Sequence, residues 1–142
     1  MNPLALVYPM FCMVALTAVV LAALFRSRTR AVRSGLISVA YFRTYRGEAE
    51  PEDTVKLSRH FANIFEAPTL FYAACLGAMI MQQTAIVFHL LAWAYVGLRV
   101  AHAYIHTGSN RLRHRIPVYF SSWLVLVAMW LFLVADVSLN YI

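Results

Sequence analysis

Two short runs of ionisable residues interrupt an otherwise apolar chain. Arg59, Asn63 and Glu66 are spaced four and then three residues apart; Arg99, His102 and His106 are spaced three and then four. Either spacing stacks the side chains on one face of a helix. Arg111, Arg113 and Arg115 follow shortly after, with Tyr119 one turn beyond Arg115. If the two stripes lie at a similar depth, they frame a positively charged pocket holding one carboxylate. Guanidinium forks match carboxylates, and Glu66 suits an ammonium group. The fitting ligand is a small molecule with at least two carboxylates and one ammonium. Glutathione has that pattern, as do other anionic peptides and some lipid headgroups.

Readings without a ligand account for the same residues. Arg59 and Glu66 neutralise each other between helices in one of them, with His102 and His106 as satisfied interior residues. Boundary arginines also extend to lipid headgroups. Against this, ionisable residues within membrane spans are functional by default. A metal site built from the two histidines and Glu66 is disfavoured, because the neighbouring cations oppose a dication, and no metal is expected. Cys12 and Cys75 sit inside apolar runs with no CxxC and no Cys/His cluster, which reads as buried, unreactive thiols.

The elements that must position these groups follow from composition. Of the 142 residues, 62% are hydrophobic and only 13% charged, against about 25% charged in ordinary globular domains. A single domain of this size cannot hide so much apolar surface from water; a bilayer accommodates it. The net charge of +6 does not point to nucleic acid, because all twelve Lys and Arg fall between Arg26 and Arg115, mostly in two stretches flanking apolar runs. We expect one all-α domain over residues 1–142, an integral membrane four-helix bundle with spans at about 3–25, 57–81, 85–106 and 117–137. The first is an uncleaved span, since no positive region precedes it and arginines follow it directly. Thr54 is a candidate cap for the second helix, Pro68 a kink within it, and Pro117 the first residue of the fourth. The Gly47–Asp53 tip reads as a loop, and Gly35–Tyr45 as an interfacial segment. Four spans put both basic loops on one side and the termini, with the Gln82 turn, on a side free of Lys and Arg. The positive-inside rule then makes the basic loops cytoplasmic and both termini external. Trp93, Tyr95, Trp123 and Trp130 read as packing or lipid-facing residues.

At these residues the chain resembles the MAPEG family, the membrane-associated proteins of eicosanoid and glutathione metabolism. The Arg59-His-Phe-Ala-Asn63-Ile-Phe-Glu66-Ala-Pro68 segment is similar to the family's Arg…Asn-x-x-Glu signature in helix two. Arg99-x-x-His102-x-x-x-His106 resembles its helix-three run. Arg115 and Tyr119 stand where the family places a catalytic arginine and a tyrosine. The resemblance covers nearly the whole chain.

That resemblance implies a homotrimer with glutathione as co-substrate, bound between subunits near the cytoplasmic face. Arg59, Asn63 and Glu66 would hold it from one subunit; Arg99, His102, His106 and Tyr119 would line the site, from the next. Arg26 or Arg28 would join them. Arg115 would act catalytically by stabilising the thiolate, since a neighbouring cation favours the ionised thiol, and Tyr119 would hydrogen-bond the sulfur. Ala62 replaces a second arginine of some members, His106 replaces a tyrosine, and Ile116 stands where prostaglandin E synthase has a serine. Prostaglandin isomerisation is therefore not expected. The chain looks like a bacterial-type member in the inner membrane, a glutathione transferase or peroxidase acting on lipophilic electrophiles or lipid hydroperoxides. The alternative is a non-catalytic membrane scaffold or regulatory protein that keeps the fold. A transporter would need a polar stripe across the whole bilayer, whereas the polar residues here stop in the cytoplasmic half.

Overall fold

The computed structural model describes residues 1–47 and 49–140. Every regular element in them is helical: α1 (Val7–Arg33), α2 (Glu52–Asn63), α3 (Ala67–Ile80), α4 (Ile86–Thr107) and α5 (Leu112–Asn140). Short 3-10 turns, Pro3–Leu6 and Val39–Arg43, precede α1 and shape the first loop. Four segments are long and apolar enough to cross a membrane: Pro3–Arg33, Glu52–Ile80 (α2 with α3), Ile86–Thr107 and Leu112–Leu139. Large apolar side chains such as Phe11, Val19, Leu90, Leu124 and Leu131 face outward. Soluble monomers rarely expose continuous apolar surface on this scale; the chain is an all-α integral membrane protein.

The 27 residues of α1 rise about 40 Å, more than the roughly 30 Å hydrocarbon core. Its final turns, carrying Arg26, Arg28, Arg30 and Arg33, therefore extend past the apolar stretch. The helix stops in a Schellman motif: Leu36 N–H donates to the Ala31 carbonyl and Gly35 N–H to that of Val32, both at 3.0 Å. Gly35 takes φ +73, a conformation open to glycine because it has no Cβ to clash. The chain then folds back, and Ile37 and Tyr41 pack on Ala31. At the opposite end α3 closes in the same way, with Gln83 N–H on the Ala78 carbonyl at 2.8 Å and Gln82 at φ +55. The amino terminus donates to the Thr84 carbonyl, so it shares that end of the bundle with the Gln82 turn.

Phe71 stacks on Tyr95 with ring centroids 4.5 Å apart, locking α3 to α4. Fully buried Ala74, Ala78 and Ala92 belong to the same core, where small residues let helices approach closely. Cys75 is buried, Cys12 is half-buried, and both are free thiols.

Three local expectations need correction. The second span is not one kinked helix but two. Pro68 has no N–H for the Ile64 carbonyl; Phe65 and Glu66 N–H groups donate instead to Ala62 and Asn63 at 3.0 and 3.3 Å, and Glu66 leaves helical geometry at ψ −92. Thr54 is not a cap: Pro51 precedes α2, and the buried Thr54 hydroxyl meets Ser27 at 2.7 Å, tying α1 to α2. The fourth helix begins at Leu112, leaving Pro117 inside it. Glu48, part of the expected loop tip, lies outside the described residues.

Candidate functional site

The break between α2 and α3 is what presents the helix-two polar residues. Asn63 ends α2 and Glu66 precedes α3, so both side chains project from a discontinuity rather than from a regular helix face. Asn63 Nδ2 donates to Glu66 Oε2 at 3.0 Å. Its Oδ1 accepts from Arg99 Nη1 at 3.2 Å. Arg99, on α4, is only 4% exposed, and its Nε donates to the Tyr95 hydroxyl one turn earlier at 3.0 Å. A single connected chain of polar groups thus runs Tyr95–Arg99–Asn63–Glu66 between the two spans. Buried guanidinium groups need such partners, because an unpaired buried charge is costly. Arg99 Nη2 nonetheless has no hydrogen-bond partner.

Beside this chain lies a cavity of about 200 Å³ lined by Asn63, His102, His106, Arg115, Ile116 and Tyr119. The Tyr119 ring sits 5.5 Å from Arg99 Cζ and 5.5 Å from the His102 ring, so it bridges the guanidinium and the imidazole. Arg115 projects from the first turn of α5. Its Nη1 donates to Asn110 Oδ1 at 2.6 Å and lies 3.5 Å from His106 Nε2. Asn110 holds φ +48, a left-handed conformation that asparagine adopts more readily than most residues, and this turn orients Arg115 toward α4. The cavity therefore carries one guanidinium and a phenol in its lining, with a second guanidinium against that phenol.

Sequence spacing anticipated most of these positions. Asn63, Arg99, His102, His106, Arg115 and Tyr119 come together within one chain, without help from a second subunit. Arg59 and Glu66 do not line the cavity and are exposed. Glu66 remains linked to it through Asn63. Of the two arginine candidates, which the structure places in the last turns of α1, Arg26 is exposed. Arg28 is engaged inside the α1–α2 contact: it donates to Ser58 at 3.2 Å, pairs with Glu50 at 3.7 Å and lies over Phe42 at 5.3 Å.

Three residues went unassigned from sequence. Tyr95, expected as a packing or lipid-facing residue, stands four residues before Arg99, the spacing that allows its hydroxyl to accept from that guanidinium. Asn110 lacked any signal beyond its place in a turn. His60 sits three residues before Asn63 and so shares its face; the structure buries it beside His102 and His106, with ring centroids 5.6 and 4.9 Å away.

Comparison with known proteins adds one match. Searches of curated proteins and of solved structures returned none. The family model described as MAPEG family matches residues 6–135, nearly the whole chain, taking in part or all of each of the four spans and every residue of the polar cluster. A four-helix membrane fold with that polar cluster and a match of that extent make the chain a member of the MAPEG family, which includes glutathione transferases and related membrane proteins.

Proposed function

We propose that this protein binds glutathione at the Asn63–Arg99–Arg115 cluster and uses it as a transferase or peroxidase acting on lipophilic electrophiles. The observation that carries the reading is the polar chain from Arg99 through Asn63 to Glu66, set against a cavity lined by Arg115 and Tyr119. It offers cations for the two carboxylates of the tripeptide and a carboxylate, Glu66, for its ammonium group. Family membership supports the same ligand.

A cavity of about 200 Å³ is smaller than the roughly 300–1,000 Å³ usual for small-molecule sites. Only part of the tripeptide fits within it. The remainder would lie along exposed Arg59 and Glu66, against a neighbouring copy in a homotrimer, with the basic end of the bundle facing the cytoplasm. The thiol would enter the cavity near Arg115, whose charge favours the thiolate, with Tyr119 donating a hydrogen bond to the sulfur. The thiolate would then attack an electrophilic carbon arriving from the bilayer and displace its leaving group as an anion. With a lipid hydroperoxide it would attack the terminal oxygen, breaking the O–O bond to release the alcohol and leave a sulfenic acid that a second glutathione converts to the disulfide and water. Outward apolar surface beside the cavity, including Ile116 and Phe120, suits such substrates.

The test is calorimetric titration of glutathione into detergent-purified protein, followed by turnover of a chlorodinitrobenzene. Binding with turnover supports the enzyme; binding without turnover on this or a hydroperoxide substrate favours the scaffold; absence of binding removes the ligand assignment.

A further inference from the structure

His60 from α2 and His102 and His106 from α4 converge beside the cavity. They are 2%, 3% and 8% exposed, and one ring nitrogen from each lies within 4.8 Å of the other two. Both ring nitrogens of His60, both of His102 and Nδ1 of His106 are buried without a hydrogen-bond partner. His89, the buried histidine at the other end of α4, behaves differently: its two nitrogens lie 3.0 and 3.2 Å from the carbonyl oxygens of Ala85 and Asn2. Buried imidazoles ordinarily find such partners. A cluster in which five of six ring nitrogens go without one, with one nitrogen from each ring so close to the other two, calls for a group that satisfies all three together.

We propose that His60, His102 and His106 form a binding site for a divalent transition-metal ion of the zinc class. Three neutral imidazoles are a donor set suited to zinc, and three histidines with one open position are a recurrent zinc arrangement. Hard cations such as magnesium or calcium are disfavoured, since the cluster contains no oxygen ligand. The geometry needs little adjustment. With zinc–nitrogen bonds of about 2.0–2.1 Å, the nitrogens must close by under about 1 Å towards their centre, within reach of side-chain rotation. His102 and His106 also line the cavity, which offers room beside the cluster for a fourth ligand.

The expectation against a metal rested on His102, His106 and Glu66 as the ligands. Glu66 is not in the cluster and His60 is. The opposing cations are real: Arg99 and Arg115 stand close by. Arg99 is partly offset through Asn63 and Glu66, and an anion in the open position would offset more. Metal affinity at this site should therefore rise with a small coordinating anion such as azide, and the inference does not depend on glutathione binding.

The test uses the full chain without a histidine tag, purified in detergent, stripped with chelator and titrated with Co²⁺ as a spectroscopic stand-in for Zn²⁺. One Co²⁺ per chain is expected, with the intense visible bands of four-coordinate cobalt, bleached on adding Zn²⁺. His60→Asn should weaken binding by more than roughly 100-fold, beyond what loss of a merely supporting partner costs. His60→Cys should keep the visible bands and add a sulfur-to-cobalt charge-transfer band, a signature that no structural role of His60 would produce. His114→Asn, at an exposed position, should change nothing. Weak six-coordinate absorption in the wild-type protein, no binding, or bands that survive unchanged in His60→Asn would each overturn the proposal. The wild-type titration decides even if the asparagine variant fails to fold.

Discussion

The contact between Arg99 and Asn63 is the joint between the two polar stripes, and its strength can be measured. Arg99 Nη1 donates to Asn63 Oδ1 at 3.2 Å from a guanidinium only 4% exposed. Hydrogen bonds to charged groups contribute about 1.5–3 kcal/mol in soluble proteins. Interhelical hydrogen bonds inside a membrane protein have averaged about 0.6 kcal/mol and reached about 1.7. Charge and burial raise this one towards the upper end; a separation at the long limit for N–H···O lowers it. A coupling of about 1–1.5 kcal/mol is expected from a double-mutant cycle of Asn63→Leu with Arg99→Met. Asn63→Leu alone should cost more, about 2 kcal/mol, because Arg99 is left buried with Tyr95 as its remaining hydrogen-bond partner and Glu66 loses a donor. The assay is reversible unfolding in mixed micelles titrated with a denaturing detergent. A coupling below about 0.3 kcal/mol would show that the two side chains are neighbours without being energetic partners.

Two further outcomes can be checked on the same preparations. Glu66→Gln keeps an acceptor for Asn63 but removes the charge proposed to pair with the ammonium group of glutathione, so glutathione affinity should fall roughly tenfold, read by calorimetry, with thermal stability nearly unchanged. Gly108→Ala should destabilise the protein by about 1–3 kcal/mol, read by unfolding, because its Cβ would stand 2.9 Å from the Tyr104 carbonyl oxygen at the cap of α4, where backbone cannot easily give way.

The membrane fold was legible because its cause is written in composition: long uncharged runs separated by arginine-rich loops leave few alternatives. The cluster was legible for a related reason. Arg, Asn, Glu and His are costly in apolar spans, so their helical spacing stands out against Leu, Val and Ala. What spacing did not convey was how the helices end. Pro68 was recognised as a disruption, yet whether a proline kinks a helix or divides it depends on how the backbone just before it re-pairs. Here Phe65 and Glu66 turn back onto Ala62 and Asn63, and the chain separates into α2 and α3. Thr54 misled because hydroxyl residues cap helices and also bridge them, and the partner that decided it, Ser27, is 27 positions away. His60 was hidden by its neighbour: the Arg59–Asn63 spacing drew the stripe one residue aside from the face that the bundle buries.

The reading of this cavity as a thiol-activating site is tested most directly by the ultraviolet thiolate absorbance that appears when glutathione is added near neutral pH. One unit charge about 4 Å from the sulfur contributes roughly 4 kcal/mol at an effective dielectric of about 20, before desolvation; half of that lowers the thiol pKa by about 1.5. We expect the wild-type protein to give the thiolate signal, and Arg115→Ala to keep much of its glutathione binding while losing that signal. An Arg115→Ala protein that binds glutathione and forms as much thiolate as the wild type would contradict the role given to Arg115.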